Sequence, residues 1–170
     1  MAAMGQTPAG FEHFLYRVPH SSWQRLPDAE FGGLLYEGTV GSFDTIVHVF
    51  LKNGRVNFER VEVALPNNRN DDLALAIITR FLCEYVGHPQ ELQSVMSTMR
   101  ALHTTLLGSG RRSARMPYRK ATFQLSLSTS PSEFNPDMIE EPWGMLYWKA
   151  EASPSVHPKG KSDASRDANF

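Results

Sequence analysis

Apolar positions along the chain change period twice. Phe43–Leu51 and Val56–Leu65 are rich in β-branched and aromatic residues, which predicts two strands. Lys52-Asn53-Gly54-Arg55 lies between them. Asn-Gly tolerates the positive φ angles of a type I′ turn, so the two runs read as a hairpin. Val56 and Phe58 keep one alternation and Val61, Val63 and Leu65 the other, so a bulge is expected at Glu59-Arg60. The period then becomes helical, through Leu73, Ala74, Ile77, Ile78, Phe81, Leu82 and Tyr85. Asn70 or Asp71 can cap this helix, and Asp71 and Asp72 suit the positive end of its dipole. Gly87 fits a left-handed C-cap, with Pro89 just beyond. A second amphipathic helix carries Leu92, Val95, Met96, Met99, Leu102, His103 and Leu106, and Gly108-Ser109-Gly110 ends it. Phe123, Leu125 and Leu127 then alternate with polar residues, which predicts a half-buried strand over Ala121–Ser128.

The remaining segments are less regular. Phe31–Val40 reads as a strand with a bend at Gly32-Gly33, followed by a turn at Gly41-Ser42. Trp143–Ala150 reads as a closing strand. Phe11–Val18 is aromatic-rich and reads as a strand or a docking arm, and Pro19–Pro27 as a loop. Residues 1–10 are expected to be a flexible lead and 153–170 a disordered tail, leaving one domain over 11–152. Strands, two helices, then strands predict an α+β domain: a mostly antiparallel sheet with a two-helix hairpin packed on one face.

Charge changes this picture locally. The formal net charge is −1, so electrostatic binding must come from asymmetry within the chain. Arg111, Arg112, Arg115, Arg119 and Lys120 form a run of five cations with no acid among them. Glu133, Asp137, Glu140 and Glu141 form an acidic loop further on. The cations read either as a solvated connector balanced by that loop, or as a patch for phosphate, in RNA or in anionic lipid headgroups. Each cation near an anionic membrane contributes about 1 kcal/mol, so such attachment gains strength through assembly.

Catalytic signals are sparse. His48 shares a strand face with Ile46 and Phe50, and His103 lies on the second helix's apolar stripe, so both read as packed histidines. An enzyme built on either one would need a polar pocket around it. No spacing suits a metal, and no Gly-x-Ser-x-Gly, Walker loop, Gly-x-Gly-x-x-Gly or Cys-x-x-Cys occurs. Cys83 is the only cysteine and reads as a core residue. No secretory signal or membrane span is expected, and Met4-Gly5 lacks the Ser/Thr of a myristoylation start. No catalytic residue, metal or cofactor is therefore assigned.

The order of parts resembles that of rhabdovirus matrix proteins, in the smaller form of plant-infecting members. Its carriers are Val63-Ala64-Leu65-Pro66-Asn67, Glu84-Tyr85-Val86-Gly87-His88, Leu106-Leu107-Gly108-Ser109-Gly110, Met116-Pro117-Tyr118-Arg119-Lys120 and Trp143-Gly144-Met145-Leu146-Tyr147-Trp148, spanning roughly residues 43–150. The resemblance implies a non-enzymatic structural protein that self-associates and links viral nucleoprotein–RNA to an anionic host membrane during virion assembly and budding. It also implies a location in the virion and host cytoplasm, peripheral to membrane. This chain departs from the family in having no Lys or Arg in residues 1–16 and no Pro-Pro-x-Tyr or Pro-Ser/Thr-Ala-Pro. The basic run would then carry more of the phosphate binding, and Phe11, Phe14 and Tyr16 could dock on a neighbouring copy. The alternative is a small cytosolic protein that binds a single partner, of bacterial toxin-neutralising or adaptor type.

Overall fold

The computed structural model describes residues 5–27, 33–65, 71–87, 89–128 and 146–155. The chain opens with helix α1 (Pro8–Leu15). Thr7 caps it by accepting the Gly10 amide at 3.1 Å, and proline sits in its first turn. Phe11 and Leu15 are its buried residues, so the aromatic segment is a helix and not a strand or an arm. Ahead of it, Gly5 N donates to Val56 O at 2.7 Å and Val56 N to Gln6 O at 2.9 Å. From Gly5 onward, the expected flexible lead is tied to the sheet.

Four strands follow as a meander: β1 (Ser21–Leu26), β2 (Leu34–Val40), β3 (Phe43–Lys52) and β4 (Arg55–Leu65). β1 lies where a loop was expected. The β3–β4 turn has the predicted chemistry, with φ of 55° at Asn53 and 75° at Gly54. The bulge lies earlier than expected: Phe50 pairs with Phe58 and Leu51 with Val56, which leaves Asn57 as the extra residue. Glu59 thereby joins Val61 and Val63 on the buried side.

Helix α2 (Asp71–Val86) ends as expected, at left-handed Gly87 with φ of 78°. A short 3-10 turn (Pro89–Glu91) leads into helix α3 (Leu92–Ser109), which runs past Gly108 to a left-handed cap at Gly110. Strands β5 (Ser113–Tyr118), β6 (Ala121–Ser128) and β7 (Leu146–Pro154) complete the sheet. β7 extends beyond Ala150 and takes in the first residues of the expected tail. The acidic loop, Trp143 and residues 156–170 lie outside the described residues.

Among the described residues the sheet has seven strands in the order β1-β2-β3-β4-β7-β6-β5, and every pairing is antiparallel. The fold is α+β as predicted, with α2 packed on β4 and β7 and α3 on β5 and β6. Tyr36, Val61, Phe81, Phe123 and Trp148 are fully buried between the layers. Each large side chain so buried contributes roughly 1.5–3 kcal/mol. The alternation on β6, with Ala121, Phe123 and Leu125 buried, turns its polar residues to the opposite face. Among the described residues this arrangement leaves β1 and β5 as the sheet's two edges.

Candidate functional site

The basic run is built around β5. Arg111 and Arg112 form the link after α3, Arg115 is central in the strand, and Arg119-Lys120 is the two-residue turn into β6. The predicted connector is thus largely a strand. Ala114, Met116 and Tyr118 are half-buried, whereas Ser113, Arg115 and Pro117 are exposed. Proline is tolerated here because an edge strand has one side without ladder hydrogen bonds.

The five cations are not equivalent. Arg119 grips Glu91 with two bonds: Nε donates to Oε1 at 2.8 Å, and the second guanidinium nitrogen donates to Oε2. Tyr118 adds its hydroxyl, which donates to the same Oε1 at 2.6 Å. Burial and then the bond to Glu91 raise the Tyr118 phenol, and the Glu91 bond holds Arg119 above its ordinary value. Arg119 therefore anchors the β5–β6 turn to the start of α3. Arg111, Arg112, Arg115 and Lys120 are exposed and have no acidic partner among the described residues.

Two shallow hollows meet at Arg115. One, of about 410 Å³, is lined by Leu102, Thr105, Arg111, Ser113, Arg115 and Gln124, with Ala114 and Met116. The other, of about 380 Å³, is lined by Arg115, Met116, Pro117, Thr122, Ser153 and Pro154. Guanidinium groups beside hydroxyls and an amide offer many donors suited to phosphate oxygens. At about 3.3 Å per residue, the six-residue strand alone sets such donors out over roughly 20 Å.

The proposed docking trio does not form one surface. Phe11 is 0% exposed, its ring centroid 6.0 Å from that of Tyr36 in this chain's own core. Phe14 is half-buried and meets Phe81 edge-on at 5.5 Å. Only Tyr16 is exposed. Helical packing has spent the aromatic surface that a docking arm would need, and the assignment of all three to self-association is corrected accordingly.

His48 is buried, with its ring 4.2 Å from Phe50. His103 Nε2 lies 2.9 Å from Asp71 Oδ2, while Asp71 Oδ1 accepts the Trp148 indole N–H at 3.1 Å. Asp71 thus joins the start of α2 to α3 and β7, a role its position at a helix start did not reveal. Burial pushes the Cys83 thiol up to about 11, far from thiolate reactivity. Among the described residues no group of three or more His, Cys, Asp or Glu could hold a metal ion, and no helix is long and apolar enough to cross a membrane. No family model, curated protein or solved structure matches the chain.

Proposed function

We propose that this chain is a matrix-like structural protein of a negative-strand RNA virus. In this reading it self-associates and links the ribonucleoprotein to an anionic host membrane during assembly and budding, acting in the virion and host cytoplasm as a peripheral protein. The observation that carries the reading is the row of exposed cations, Arg111, Arg112, Arg115 and Lys120, along an open sheet edge. A polyanion needs positive charge presented along a surface, with no closed pocket, and that row supplies it. Binding by one copy is weak and screened by salt, and many copies on one polyanion give avidity.

The test is charge reversal. Arg111→Glu, Arg112→Glu and Arg115→Glu together are expected to abolish co-sedimentation with phosphatidylserine vesicles and with ribonucleoprotein. The substituted side chains are exposed, so the thermal midpoint should hold. A variant that still co-sediments places the contact elsewhere. A stable one-to-one complex with a single protein, indifferent to phosphate, would favour the partner-binding alternative.

A further inference from the structure

The two edges of the sheet differ in kind. β5 carries Pro117, which removes a backbone donor, and is flanked by cations at both ends. Proline and charge are the devices by which edge strands avoid pairing with other chains. β1 has neither a proline nor a bulge. It pairs with β2 through an unbroken register, from Ser21 opposite Val40 to Leu26 opposite Leu35. Its single cation, Arg25, lies 3.5 Å from Glu12 of α1, which offsets its charge. Among the described residues no strand lies on its other side. Six residues leave roughly 20 Å of strand backbone open to a partner.

We propose that β1 is the surface through which two copies of this chain associate, their β1 strands pairing antiparallel about a two-fold axis. The proposal rests on the self-association part of the reading above and not on phosphate binding. A two-fold normal to the sheet keeps the helical layers of both copies on the same side, so facing residues must share a face. An axis at Arg25 would oppose two guanidinium groups and is disfavoured. An axis at Trp23 sets Trp23 against Trp23, Ser22 against Gln24 and Ser21 against Arg25. Aromatic then meets aromatic, polar meets polar, and no like charges face each other. Trp23 is prepared for this position: its indole N–H donates to Ser21 Oγ at 3.0 Å, its ring stands edge-on to Phe81 at 6.1 Å, and it remains only partly buried in one copy. Pairing would cover the rest and join two seven-stranded sheets into one.

The experiment measures mass and cross-linking of the full chain in high salt without any polyanion. Wild type is expected to run at twice 19.1 kDa. Ser22→Lys with Gln24→Lys sets lysines opposite each other across the axis and should give the monomer, with the thermal midpoint held because both positions are exposed. Mixing a Ser22→Cys protein with a Gln24→Cys protein should give an oxidised heterodimer in higher yield than either protein alone. Cys83 is buried and contributes no background. A monomeric wild type, a dimer that survives the lysines, or the absence of preferential mixed cross-linking overturns the proposal. The Arg111→Glu, Arg112→Glu, Arg115→Glu variant should still dimerise. If it does not, the basic edge and not β1 makes the contact, and this proposal fails even where the phosphate reading stands.

Discussion

Glu59 is the most unusually placed side chain. It lies on the buried side of β4, 0% exposed, and neither carboxyl oxygen has a hydrogen-bond partner among the described residues. Burial, and then the charge of Glu84, hold its carboxyl well above the usual range, so the folded state favours the neutral acid. Burial also raises Glu84. Beside them Tyr85 donates its hydroxyl to Asn57 O at 2.7 Å, which fixes α2 on the bulge. The unfolded chain ionises Glu59 first, so it binds fewer protons than the folded state as pH rises. The destabilisation is therefore absent in acid and grows from the ordinary carboxylate range upward. Glu59→Met should stabilise the protein by about 1–3 kcal/mol at neutral pH, by removing an unsatisfied buried carboxyl. Thermal melts across pH check this: the gain should widen with rising pH and shrink in acid. A gain that is flat with pH, or a loss, would contradict the assignment. The sequence pattern hides this residue because apolar alternation alone puts the phase break at Glu59-Arg60. With the extra residue at Asn57, the acid turns inward.

At the scale of elements, the β5–β6 hairpin is held by Glu91, which receives both Tyr118 and Arg119. Glu91→Gln keeps the shape but removes the charge that Arg119 meets. Amide hydrogen exchange is expected to quicken several-fold in β5 and stay unchanged in α2. Equal effects in both would mean that Glu91 serves the whole fold and not the hairpin. The elements legible in the sequence were those with an apolar face or run: β2, the β3–β4 hairpin, α2, α3, β6 and the first part of β7. The two edge strands were not. Ser21–Leu26 and Ser113–Tyr118 each have polar side chains where a central strand has apolar ones, because little covers an edge. α1 carried a signal that could have found it. Phe11, Phe14, Leu15 and Val18 stand at helical spacing behind Thr7-Pro8, a cap followed by proline. The cations of the candidate site were visible as a run, but Arg119's bond to Glu91 spans 28 residues and has no local signature.

At the scale of the molecule, a net charge of −1 conceals a difference in character between the sheet's two ends. One end, β5, is charged, interrupted by proline and lined by two shallow hollows. The other, β1, is regular and open. A sheet that binds a polyanion at one edge and its own copy at the other would crosslink copies along a ribonucleoprotein. This account is tested most directly by the salt dependence of binding to single-stranded RNA. Log affinity should fall linearly with log salt, with a slope of about −2 to −3 if three or four cations each meet a phosphate. The Arg111→Glu, Arg112→Glu, Arg115→Glu variant should lose most of both affinity and slope. A wild-type slope near zero, or a variant with the wild-type slope, would contradict the account.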